Sequence, residues 1–168
     1  MILGMTLAAF TQFHVILSLI GIVSGIVVAL ALLTSSRLPA LTALFLLTTV
    51  ATSVTGFMFP FKEFGPPEII GVISLVALAV AILALYVYKL AGSWRWIYVV
   101  TALFSLYLNA FVGVVQTFQK VPFFNALAPT QKEPPFAVAQ GIVLLAFIAL
   151  GLVALRKFRP GATGPAFA

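Results

Sequence analysis

The chain's one histidine, His14, stands on a face with other groups able to take part in chemistry. At about 100° per residue, Thr11, His14, Ser18, Gly21 and Gly25 fall within an arc of roughly 80° on a helix. An imidazole titrates near neutral pH, so His14 would serve as a proton carrier or a ligand. The same face carries Gly21-Ile-Val-Ser-Gly25, a G-x-x-x-G that lets a second helix approach closely. Two readings follow. Either polar groups are sheltered in tight packing, with Gly21 and Gly25 at the contact, or His14 is a functional site.

A second constellation runs from Trp94 to Lys120. Tyr98, Thr101, Ser105, Asn109, Gln116 and Gln119 share an arc of roughly 80° in an otherwise apolar run. An amide facing hydrocarbon is costly, because its N–H and C=O groups go unsatisfied. The stripe must therefore face protein or water. A third group, Thr48, Thr49, Thr52, Ser53 and Thr55, carries hydroxyls that can bond their own helix carbonyls. Glu68 and Gln140 stand at the heads of two further apolar runs. His14, Ser18, Thr52, Thr55, Glu68, Asn109, Gln116 and Gln140 are the candidate lining of a polar pocket.

Metal and cofactor options are narrow. One histidine without any cysteine cannot close a zinc site within one chain. Haem would need a second axial ligand, either Met58 or the His14 of a second copy. No phosphate-binding loop, dinucleotide fingerprint, zinc-protease motif or nucleophile elbow occurs, and no span holds paired carboxylates. The expectation is a chain without a cofactor, with haem or quinone at His14 as the alternative.

The elements that must position these residues are spans. Of 168 residues, 63% are hydrophobic and 7% charged, with a mean hydropathy of +1.24. A soluble domain is about 25% charged, so a water-soluble globule is excluded. At about 20 residues per crossing the runs predict an all-α, polytopic transmembrane helix bundle of five spans, at about 12–33, 39–59, 67–90, 94–119 and 135–155. One domain, 1–168, ends in a basic, then Gly/Pro-rich tail over 156–168, expected to be disordered. The runs are continuous, unlike the alternating strands of a membrane barrel. No internal repeat supports an inverted-repeat transporter. No charged n-region or cleavage site suggests a removed signal peptide.

Five spans place the termini on opposite sides. One side then holds Arg37, Lys89, Arg95, Arg156, Lys157 and Arg159 with no acidic residue. The other holds Lys62, Lys120 and Lys132 with Glu63, Glu68 and Glu133. The Lys/Arg bias predicts a cytoplasmic C-terminus and a periplasmic N-terminus, with Tyr86, Tyr88, Trp94, Trp96 and Tyr98 as a cytoplasmic aromatic belt. His14, Thr55, Glu68, Gln116 and Gln140 then lie in the outer third of their helices, as a funnel opening outward.

The runs His14–Gly25, Thr48–Phe61 (TTVATSVTGFMFPF), Trp94–Thr101 and Ala128–Phe136 resemble a family of small, uncharacterised bacterial integral-membrane proteins. The resemblance covers most of the chain from the first span to the fifth. It implies a bacterial inner-membrane location and carries over neither an activity nor site residues.

The function expected is that of a non-enzymatic accessory subunit or small-molecule-binding membrane component, with an outward-facing polar pocket. A small oligomeric transporter or channel is the alternative, and a redox protein using His14 the second. The expected partners are the lipid bilayer and either another membrane protein or a second copy of the chain, docked through the Gly21/Gly25 face. The nine Lys/Arg are spread singly between spans, which fits topology anchoring and not nucleic acid.

Overall fold

Most helices of this chain begin at residues that satisfy, or dispense with, the free N–H groups of a first turn. In the computed structural model, which describes residues 2–60 and 64–160, the helices are α1 (Leu7–Leu32), α2 (Pro39–Gly56), α3 (Pro66–Ile82), α4 (Trp94–Lys120), α5 (Pro122–Leu127) and α6 (Pro134–Lys157). Thr6 caps α1 by accepting from the Ala9 N–H at 3.2 Å. Proline opens α2, α3, α5 and α6, where its missing N–H costs nothing. The Glu68 carboxylate reaches back to the Gly65 N–H at 2.8 Å, closing the first turn of α3.

The protein is an all-α helical bundle. Five of its helices are long and apolar enough to cross a membrane, α3 doing so with its continuation to Val87. That makes it a multi-pass membrane protein. The first span starts earlier than the sequence predicts because Thr6 caps it there. The second ends at Gly56, three residues early. The long loop before α6 contains the unpredicted α5, which Pro122 starts and the Asn125 side chain ties to the Phe118 carbonyl at 3.1 Å.

α4 touches every other helix. It is also the most buried span, at 44% of its apolar window against 6% for α6. Val99, Ala102, Leu103 and Leu106 of α4 pack with Val28 and Ala29 of α1, Phe45 of α2, Leu78 and Ala81 of α3 and Ala154 of α6. α6 leans on α4 alone for most of its length, helped by Tyr107 edge-on to Phe147 at 5.7 Å.

Two departures from regular helix shape the end that carries the C-terminus. After Ile82 the third span widens into a π-turn over Leu83–Val87, and a bond from the Leu90 N–H to the Ala84 carbonyl at 2.9 Å then closes it. Lys89 and Leu90 adopt the left-handed conformation, with φ of 49° and 61°. Across from them, Ser35 (φ 57°) turns the chain between α1 and α2.

The tail expectation changes at its start. α6 runs two residues past the predicted Leu155, and Phe158 is buried. Two side chains hold it: Arg95 Nη1 donates to the carbonyls of Leu155 (3.1 Å) and Phe158 (2.6 Å), and the Ser35 hydroxyl donates to the Lys157 carbonyl at 2.7 Å. Residues 161–168 lie outside the described residues, as do Lys62 and Glu63 of the charge comparison.

Candidate functional site

The eight predicted pocket residues resolve into separate pairings. His14 Nδ1 lies 2.8 Å from Thr55 Oγ1. The Thr55 hydroxyl is 2.7 Å from the Ala51 carbonyl and has one proton, which it donates there. With that proton on the Ala51 side, the tautomer protonated at Nδ1 donates to Thr55, and Phe59 closes edge-on over the imidazole at 5.2 Å. Deeper in the bundle, the Ser18 hydroxyl donates to Asn109 Oδ1 at 2.8 Å, and Asn109 Nδ2 points back to the Ser18 carbonyl at 3.4 Å. Thr52 donates to its own helix at Thr48. Glu68 serves as the cap of α3. Gln140 Nε2 donates to the Phe111 carbonyl of α4 at 3.2 Å, and its Oε1 is buried without a partner among the described residues. Gln116 is exposed beside Gln119.

Gly21 and Gly25 sit inside the molecule. A Cβ on Gly21 would meet Thr49, Asn109 and Thr48 at 3.0 to 3.3 Å. One on Gly25 would meet Leu106 at 2.5 Å and Phe45 at 2.8 Å. The face joins α1 to α2 and α4 within one chain, so it is not free to build an interface between copies. The missing side chains let the Ser18–Asn109 pair and Thr49 close up, which is how this bundle shelters polar groups from lipid.

A cavity of about 240 Å³ lies at the opposite end, beside the C-terminal turn of α6. Its lining comes from the end of α1 (Val28, Ala31, Leu32), the α1–α2 turn (Ser36, Arg37, Leu38), the start of α2 (Pro39, Thr42), the π-turn and its exit (Leu85, Tyr86, Lys89, Leu90), Tyr98 and Phe158. Each strand of covalent chain around it is fixed by a feature already described. Ser35 ties the α1–α2 turn to the end of α6, and Arg95 holds Phe158 in the wall. The left-handed Lys89, exposed, and Leu90, buried, both line the cavity.

Tyr98 corrects the aromatic-belt expectation. It is 2% exposed, one turn into α4 on the stripe face, and it points into the bundle and not toward lipid head groups. Tyr86, Tyr88 and Trp96 are exposed, and Tyr88 stacks on Trp94 at 3.8 Å. The Tyr98 phenol lies beside Thr42 and makes no other hydrogen bond among the described residues, and Arg37 is near enough to act on it electrostatically. Thr48, Thr49, Thr52 and Thr55 each donate to the carbonyl four residues back. Thr42, 7% exposed, does not.

Charge separates the two ends. Among the described residues the carboxylates are Glu68 and Glu133, both at the end away from the cavity. Slight desolvation pushes the Glu133 carboxyl up, but hydrogen bonds from Thr130 and the Lys132 N–H outweigh it and hold the group below the usual carboxylate range. Arg37 and Lys89 have no ion pair and no hydrogen bond from their side chains among the described residues.

Sequence reasoning treated Arg37 and Lys89 as topology anchors and Tyr86 and Tyr98 as a belt, and so did not bring them together around one cavity. One signal was available: Tyr98 shares the arc of Asn109, whose partner must be protein. Comparison with family models, with curated proteins and with solved structures finds no match for this chain.

Proposed function

We propose that the chain is a non-enzymatic, multi-pass component of a bacterial inner membrane that binds a small molecule in the cavity at its C-terminal end. The N-terminus is periplasmic and the C-terminus cytoplasmic, so the cavity opens at the cytoplasmic face. The Lys/Arg distribution supports that orientation. One observation carries the binding reading: a cavity of about 240 Å³ whose rim combines a π-turn and strained backbone, features concentrated at functional sites. Apart from Gln140 Oε1 and the exposed Gln116, the polar side chains elsewhere bond in separate groups, which fits a binder better than a conduit.

Native mass spectrometry of protein extracted in mild detergent tests the reading. The wild-type chain should retain a bound small species that Ala31→Phe, which fills the cavity, releases. Equal ligand retention by both proteins would refute it. Reporter fusions test the orientation: a fusion after Ala168 should be active in the cytoplasm, and one near Pro129 outside. The reverse pattern moves the cavity to the periplasmic face.

A further inference from the structure

Two cations and two hydroxyls converge on the cavity. Arg37 and Lys89 flank its mouth, from the α1–α2 turn and from the exit of the π-turn. Neither side chain meets a carboxylate among the described residues. Of the other cations at this end, Arg95 is occupied by the carbonyls of Leu155 and Phe158. Deeper in the wall, Tyr98 and Thr42 are 2% and 7% exposed, and their hydroxyls have only each other. One bond between two hydroxyls uses one of their two protons and leaves the other free to donate to a ligand. The remaining wall is apolar, formed chiefly by Val28, Leu32, Leu85, Leu90 and Phe158.

We propose that this cavity binds an anionic phospholipid, its phosphate between Arg37 and Lys89 and within reach of the Tyr98 and Thr42 hydroxyls, with the start of an acyl chain against the apolar wall. The proposal rests on the binding reading above and names its ligand class. Two cations with no counter-charge select an anion. Tetrahedral phosphate oxygens suit a guanidinium, an ammonium and two hydroxyls together. The volume decides how much enters: at about 30 Å³ per water, 240 Å³ is room for about eight waters. That accommodates a head group and the first part of a chain, while the rest stays in the bilayer. Basic pockets between helices at the cytoplasmic side take anionic head groups in this way.

The test is a titration of purified full-length protein with short-chain phosphatidylglycerol, with phosphatidylcholine of the same chains, and with inorganic phosphate, read by native mass spectrometry. The proteins are wild type, R37Q/K89Q, R37K, Y98F and A31F, each checked for folding by elution volume and melting. At about fivefold per cation, the wild type should prefer phosphatidylglycerol by about thirtyfold, and R37Q/K89Q should lose that preference. R37K should keep most of it. Y98F removes one hydroxyl without changing shape and should weaken phosphatidylglycerol about fivefold, which keeps the test open if the double variant does not fold. Equal binding of the two lipids by the wild type, an unchanged preference in R37Q/K89Q, or undiminished phosphatidylglycerol binding by Y98F overturns the proposal; if A31F still abolishes binding, the cavity reading survives. Inorganic phosphate competing as well as the lipid assigns the site to a soluble anion and also overturns the proposal. Binding undiminished in A31F defeats both readings.

Discussion

Gly25→Ala puts the central packing to its sharpest test. The added Cβ would lie 2.5 Å from Leu106 Cδ1 and 2.8 and 2.9 Å from the Phe45 ring. Both neighbours are 1% exposed and interlocked with the core, so neither gives way freely. Overpacking of this kind costs about 2–3 kcal/mol, toward the upper part of its usual range. Replacing glycine by alanine inside a helix returns up to about 1 kcal/mol. The net loss is then about 1–2 kcal/mol. Gly141 of α6 is the control, because a Cβ there meets nothing within 4 Å; Gly141→Ala should be neutral or stabilising by up to about 1 kcal/mol. At about 2–4 °C per kcal/mol for a chain of this size, the two variants should melt about 2–12 °C apart in detergent. Leu106→Ala removes the closest obstacle, so the cost of Gly25→Ala should shrink by about 1 kcal/mol in its presence, a coupling a double-mutant cycle resolves. If Gly25→Ala melts with or above Gly141→Ala, α1 does not approach α2 and α4 as closely as described.

The interhelical pair and the tail clamp give two further predictions. A cycle of Ser18→Ala and Asn109→Ala should return a coupling of about 1 kcal/mol in thermal or denaturant unfolding, and a value near zero would mean the two do not bond. Arg95→Gln should release the end of α6 and raise amide exchange around 155–159 at least about tenfold without moving the global melt, while unchanged exchange would show that Arg95 does not hold Phe158.

How far the chain could be read without its structure depended on what kind of force placed each residue. Spans follow from the solvent. Runs such as Ile69–Leu85 have no stable place but hydrocarbon, and Pro39 marks a helix start through its own covalent geometry, whereas Pro122, read as part of a loop, starts α5. The central role of α4 was legible too, since a stripe holding Asn109 obliges other helices to cover it. The helical period says which residues share a face but not what covers that face at each depth. Gln116 and Tyr98 lie on one arc, yet Gln116 ends exposed and Tyr98 buried. The cavity was hidden for a further reason. Its lining comes from distant parts of the chain, and its shape depends on left-handed residues at Lys89 and Leu90, where no glycine signals them.

Those two residues have different reasons for their conformation. A non-glycine residue held left-handed costs about 1–2 kcal/mol. Leu90 is 6% exposed, and burying a leucine contributes about 1.5–3 kcal/mol, which offsets its strain. Lys89 is exposed and gains nothing comparable. Glycine would fit its φ of 49° without strain. Relief of about 1–2 kcal/mol, less about 0.5–1 kcal/mol for the freer unfolded chain, leaves Lys89→Gly more stable than wild type by about 0.5–1 kcal/mol. The same substitution removes a cation from the cavity mouth and should weaken anionic-lipid binding about fivefold. A more stable protein that binds less well is the signature of a strained residue kept for its ligand. A variant that melts lower, or that binds as tightly as before, would place Lys89 among the structural turns and leave Arg37 alone at the mouth.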